Sequence, residues 1–168
     1  MKLKILQIAV DEIVKMNISK DNFDMKQYGG LQNDNFSNCN LEETIEKIDK
    51  FRCNTTACFL GYFPFIDNPI FIPKKSDFYD EVFSYDLYSY RILGIDCDSI
   101  IWSFLFEGAW VNYDNTLEGA LNRAKYLIKC EGKLPGTITD LLIEEDYETL
   151  QNFSNLWYLK DKTNGITN

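Results

Sequence analysis

Histidine is absent from the 168 residues, and that gap closes more chemistry than any residue present opens. General acid–base catalysis near neutral pH most often uses imidazole, whose unperturbed pKa lies in that range. Without it, Ser-His-Asp and Cys-His nucleophilic systems are excluded, as are His-containing zinc sites and the haem ligations that need His. Glycine-rich phosphate loops of the Walker or Rossmann type are missing too. No apolar run approaches the roughly 18 residues needed to span a bilayer, so no membrane partner is expected. Positive charge is scarce: 17 basic residues face 26 acidic ones, for a net charge of −9. The resulting field repels phosphate backbones and disfavours direct nucleic-acid binding. Such a protein could instead occupy the basic groove of a nucleic-acid enzyme.

What is present describes an ordinary globular chain. Hydrophobic residues make up 45% and charged residues 26%, which indicates neither disorder nor a membrane protein. Aromatic residues are abundant, with 12 Phe and 10 Tyr, as an A/T-rich coding sequence would produce. The opening Met1–Glu12 stretch mixes Lys2 and Lys4 with apolar residues, but the apolar run breaks at Gln7 and ends at Asp11 with no small-residue cleavage site. It reads as a helix rather than a signal peptide. A cytoplasmic location in a bacterial host cell follows as the expectation, with the five cysteines kept as thiols.

Apolar spacing at Leu3, Leu6, Val10, Ile13 and Val14 predicts an amphipathic helix over 2–16. Residues 17–40, rich in Asn, Asp, Gly and Ser, read as a long loop anchored by Phe23, Met25 and Tyr28. Asn40 can cap a helix at 41–51, with Glu42 and Glu43 in its first turn. A helical turn is expected at 55–62, then a short extended segment at 63–73 that carries three prolines. Residues 77–93 read as one long helix closed by Gly94, and Asp98 or Ser99 caps the next, whose Ile101, Trp102, Leu105 and Phe106 should be core. Thr116 caps a helix bearing Leu117, Ala120, Leu121, Ala124, Leu127 and Ile128, stopped by Gly132 and Pro135. A last helix is expected over 139–158. The fold class is mainly α, or α+β with one short extended segment, with about five to seven helices in one domain over 1–160 and a frayed tail at 161–168.

One local pattern stands out: Cys53-Asn54-Thr55-Thr56-Ala57-Cys58-Phe59-Leu60-Gly61. If Asn54 or Thr55 caps a helix, free backbone N–H groups beside Cys53 would lower its thiol pKa and attract an anion, with Arg52 alongside. A redox thiol or an anion-binding turn would follow. The competing reading makes Cys58 a small core residue, Gly61 a point of close contact, and Thr55 and Thr56 simple caps. Five residues along one helix set the two sulfurs about 140° apart, which argues against a shared metal. Asp96 and Asp98 could hold Mg²⁺, and Glu144-Glu145-Asp146 could supply acid–base groups; the plainer readings are helix-start charge and a solvated face. No catalytic residue, metal or cofactor is expected.

The motif, together with Phe23-Asp24-Met25, Leu93-Gly94-Ile95, Phe104-Leu105-Phe106 and Thr116 before an Ala-rich helix, resembles a widespread group of small uncharacterised phage and bacterial proteins. That group carries Cys-Gly-Thr-x-x-Cys-x-x-Gly. The likeness spans about residues 22–130, with Asn54 where the group has Gly, and Tyr28 and Tyr62 where it has Trp or His. It implies an accessory role in a phage or mobile element and no reaction. The expected function is therefore non-enzymatic binding that inhibits a host protein, plausibly of a defence system. Exposed Tyr28, Tyr62, Trp110 and Tyr113, with Asp114 and Glu107, are the expected contact types. The alternatives are sequestration of a small anionic ligand such as a signalling nucleotide, at Arg52 and 54–56 with Tyr28 or Tyr62 stacking, and a thiol- or carboxylate-dependent enzyme.

Overall fold

A computed structural model of the chain describes residues 1–26, 30–31, 34–35, 40, 42–43, 46, 57–80 and 82–153. Helix α1, Leu3–Lys15, turns Leu6, Ala9, Val10 and Ile13 inward, while Val14, expected in the stripe, is exposed. The buried set follows i, i+3, i+4, i+7, and Val14 falls just past the edge of that face. The backbone N–H of Lys2 donates to the Leu93 carbonyl at 2.6 Å, and Lys2 Nζ donates to the Arg91 carbonyl. These bonds tie the start of α1 to the end of a later helix.

Phe23 and Met25 anchor the following loop as expected, and Gly30–Leu31 (β1) pairs antiparallel with Asp34–Asn35 (β2). Asn40 and Glu43 form a reciprocal capping box: Asn40 Oδ1 accepts from the Glu43 N–H, and a Glu43 carboxylate oxygen accepts from the Asn40 N–H, each at 3.0 Å. Glu42, Glu43 and Glu46 are helical; the rest of the expected 41–51 helix lies outside the described residues.

The reading of 55–73 needs correction. Ala57 bridges Phe23 in a parallel pair, and the helical turn comes later, as a 3₁₀ helix over Leu60–Phe65 that includes Pro64. Bends and turns follow in place of an extended segment. Every residue from Leu60 to Phe65 is buried, because this short helix packs against both α1 and α2 (Tyr85–Leu93). The expected 77–93 helix is also two things. A hairpin pairs Phe78–Tyr79 (β3) with Val82–Phe83 (β4), and α2 begins after it, with Ser84 Oγ accepting from the Leu87 N–H. Gly94 ends α2 in the left-handed conformation at φ 66°, and Ile95 packs back into the core.

Ser99 caps α3 (Ile100–Phe106), with its Oγ accepting from the Trp102 N–H at 3.2 Å. Thr116 caps α4 (Leu117–Lys129) in the same manner through the Gly119 N–H at 3.0 Å. The expected 139–158 helix divides into α5 (Gly136–Ile143) and α6 (Tyr147–Asn152), separated by Glu145 at φ 55°, with Asp146 capping α6. The described residues are thus mainly helical. α1 packs on α4 and α2, and α3 packs on α4 and α5. Phe59, Phe63, Phe71 and Phe106 lie ring against ring between them, with centroids 5.3–6.4 Å apart. No helix among the described residues is long and apolar enough to cross a membrane.

Candidate functional site

Arg52, Cys53, Asn54, Thr55, Thr56 and Tyr28 lie outside the described residues. The second half of the motif is described, and it is interior. Cys58, Phe59, Leu60 and Gly61 are all buried, and burial pushes the Cys58 thiol up to about 12. A thiol so placed is a poor nucleophile. Tyr62, expected on the surface, is a core residue. Its hydroxyl donates to the Asn22 carbonyl, its ring lies parallel to that of Phe23 with centroids 6.5 Å apart, and burial raises its pKa. The segment is held by backbone pairing: the Ala57 N–H donates to the Asn22 carbonyl and the Asp24 N–H to that of Ala57. In its described part the motif acts as a seam between the 17–40 loop and the core.

Trp110, Tyr113 and Asp114 are brought together, but not as an exposed contact face. Trp110 is fully buried, and its indole N–H donates to the Ser103 carbonyl at 3.0 Å. The guanidinium of Arg123, also fully buried, lies 4.1 Å over the Trp110 ring, and its Nη1 is 2.9 Å from Asp114 Oδ2. Asp114 Oδ1 accepts from the Thr116 hydroxyl at 2.7 Å. Tyr147 completes the group, edge-on to Trp110 and stacked on Tyr113; burial first, then Glu107, pushes its phenol up to about 12. A surface contact role for Trp110 is therefore corrected to a structural one. Aromatic residues flanked by acids resemble a contact site in sequence, but here a buried cation from α4 draws both inward.

The carboxylate clusters lie in turns. Ligand atoms of Asp96, Cys97 and Asp98 come within 4.8 Å of one another. Asp96 also builds the entry to α3: its Oδ1 accepts from the Asp98 N–H and its carbonyl from the Ser99 hydroxyl. Partial burial, then Asp86, Asp98 and Asp96, raise the Cys97 thiol pKa, which favours the neutral form. Glu144, Glu145 and Asp146 form the solvated turn between α5 and α6, where the Thr149 hydroxyl and N–H hold the Asp146 carboxyl below its usual range. A hollow of about 250 Å³ beside α1 has Glu12 and Lys15 on its wall, bridged to each other at 2.8 Å.

Charge and aromatic surface remain on the outside. Tyr79 is 71% exposed and Tyr90 63%. Both belong to the 77–93 segment that divides into hairpin and helix, in which Tyr85 and Tyr88 are the tyrosines that enter the core. No family model matches the chain, and neither the curated proteins nor the solved structures contain a match.

Proposed function

We propose that this protein acts by non-enzymatic binding, as a phage or mobile-element accessory protein that inhibits a host protein through its acidic surface. The observation that carries this reading is the net charge of −9 in a chain without histidine. That field slows approach to phosphate and speeds approach to a basic protein surface, such as the groove of a nucleic-acid enzyme. The burial of Cys58 supports it, since one of the two motif thiols is withheld from solution chemistry. The described carboxylate clusters support it as well, because helix-entry and helix–helix turns account for their positions.

Affinity capture from bacterial lysate with the full chain tests the reading. A stoichiometric protein partner, released by salt, is expected. Recovery of none, alongside heat on titration with a nucleotide panel, would transfer the function to a small anionic ligand.

A further inference from the structure

This inference rests on the binding reading above and names the surface and the partner class. Ile143, in the last turn of α5, is 65% exposed, more than any other valine, leucine or isoleucine among the described residues. Asp140 stands three residues before it and Glu144 one after, so the three side chains fall within about 100° of arc on the helix. All three are exposed. Ile138 and Leu142 take the opposite side and enter the core. Asp140, Ile143 and Glu144 thus share one outward face, and the exposed Glu145 adjoins it in the turn to α6.

Helix-end physics calls for other residues at this place. The Asp146 N–H donates to the Leu141 carbonyl at 2.9 Å and the Glu145 N–H to that of Leu142 at 3.3 Å, a closure in which glycine is usual at the left-handed position. That position is Glu145, at φ 55°. The carbonyl end of a helix also favours cations and disfavours carboxylates, yet Asp140 and Glu144 occupy it and the last turn of α5 holds no basic residue. Asp146 caps α6, and Glu148 lies in its first turn, where acids are stabilising. The carboxylates of Asp140, Glu144 and Glu145 have no such use, since they form no hydrogen bond or ion pair with a described residue. The turn explains their position but not their sign. Local rules of this kind yield where a surface serves function.

The surroundings carry one sign. Between Lys133 and Lys160 the chain has five carboxylates, those of Asp140, Glu144, Glu145, Asp146 and Glu148, and no basic residue. Helix α3, which packs on α5, contains no charged residue, and Glu107 follows it. After burial, Glu107 and Glu145 raise the Tyr147 phenol, so both carboxylates reach the same ring. Arg123, the cation that acts on that ring, is buried and held by Asp114. Lys133 precedes the other end of α5.

We propose that this end of α5 docks a lysine- or arginine-rich segment of the partner protein, with Asp140, Glu144 and Glu145 pairing its cations and Ile143 packing against an apolar side chain among them. The negative end of the helix adds to the field of the carboxylates, which steers a cation in and holds it. A second copy of the chain fits less well, because a two-fold contact would set these carboxylates against themselves on molecules that each carry −9.

The test uses the full chain and peptides that repeat Lys-Lys-Leu, Lys-Lys-Ser or Glu-Glu-Leu, at about 0.15 M salt. The patch variants are Glu144→Gln with Glu145→Gln, and Ile143→Ser. Asp11→Asn with Glu118→Gln removes the same charge from exposed sites on α1 and α4. The proposal expects the Lys-Lys-Leu peptide to bind most tightly and the Gln pair to lose about tenfold in affinity for it. Ile143→Ser should weaken binding of that peptide and leave the Lys-Lys-Ser peptide unaffected, and the control should change by less than about twofold, because distant charges are screened. The thermal midpoint separates docking from a structural role. It should rise in the Gln pair, where charge opposing the helix end is removed, and fall in the control, where Glu118 is lost from a first turn that favours acid. Equal losses in the patch and control variants would overturn the proposal, since binding would then follow net charge alone. A lower midpoint in the Gln pair would overturn it as well, since the acids would then be structural. If lysate capture yields a stoichiometric partner that the Gln pair retains at full affinity, the patch is wrong and the binding reading stands; if no partner and no peptide binds, both fall.

Discussion

Asp114 occupies the space that a side chain on residue 119 would need: a Cβ built on Gly119 would lie 1.8 Å from Asp114 Oδ2. The carboxylate reaches Arg123 only because the first turn of α4 is bare at that position. Gly119→Ala should therefore displace Asp114 and behave like Asp114→Ala. Each should cost about 3–5 kcal/mol, because a buried guanidinium is left without its facing carboxylate. The double replacement Asp114→Leu with Arg123→Met should recover most of that loss, since a hydrophobic pair of similar size replaces the ions. Urea titrations of the four proteins check both expectations; a Gly119→Ala variant as stable as wild type would refute the packing argument. A second residue-scale outcome concerns Cys58. Its folded pKa, about 12, lies above the ordinary 9.0, so its contribution to stability is full below about 9 and is lost as pH rises through the folded value. In native protein at pH 8 the Cys58 thiol should resist alkylation and should react on unfolding, as peptide mapping would show. Cys58→Ala should remove part of the alkaline loss of stability, read from denaturation midpoints across that window.

At the scale of elements, the caps govern where helices begin and end. Ser84→Ala should destabilise by about 1 kcal/mol through loss of the acceptor for the Leu87 N–H, and Gly94→Ala by about the same, because alanine is strained at φ 66°. Thermal melts would detect either; no shift at Ser84 would support the longer 77–93 helix over the hairpin. Caps were also the part most legible in the sequence, since Ser99, Thr116, Asn40 and Gly94 all serve at the ends they marked. Two breaks went unread for one shared reason. Asp80 turns the hairpin at φ 47° and Glu145 separates α5 from α6 at φ 55°, both in the left-handed region that glycine usually marks. With no glycine at either point, apolar spacing carried on across the break. The buried Arg123 was legible in principle. It stands three residues after Ala120 and four before Leu127, within the apolar stripe of α4, where a charge calls for a buried partner. Tyr62 and Trp110 could not have been placed so, because they lie in short 3₁₀ segments, Leu60–Phe65 and Gly108–Asn112, where neighbouring helices decide whether an aromatic side chain faces core or solvent.

At the scale of the molecule, the aromatic residues among those described divide into two populations. Most are buried and meet ring on ring, Phe63 of the 3₁₀ segment against Phe106 of α3 and Phe83 of β4 against Tyr88 of α2. Tyr79 and Tyr90 remain outside, beside carboxylates, on a chain of net charge −9. This distribution favours association with a basic protein surface, steered by long-range attraction and held by a few aromatic anchors. The reading has a direct signature in ionic strength, because exposed charges are screened as the Debye length shrinks from about 10 Å at 0.1 M salt to about 3 Å at 1 M. The decisive measurement is affinity capture from host lysate with the intact chain, followed by association kinetics of the recovered partner across that salt range. The account predicts a stoichiometric partner whose association rate falls by about tenfold or more between the two conditions. A partner whose association is indifferent to salt, or the absence of any partner, would contradict it.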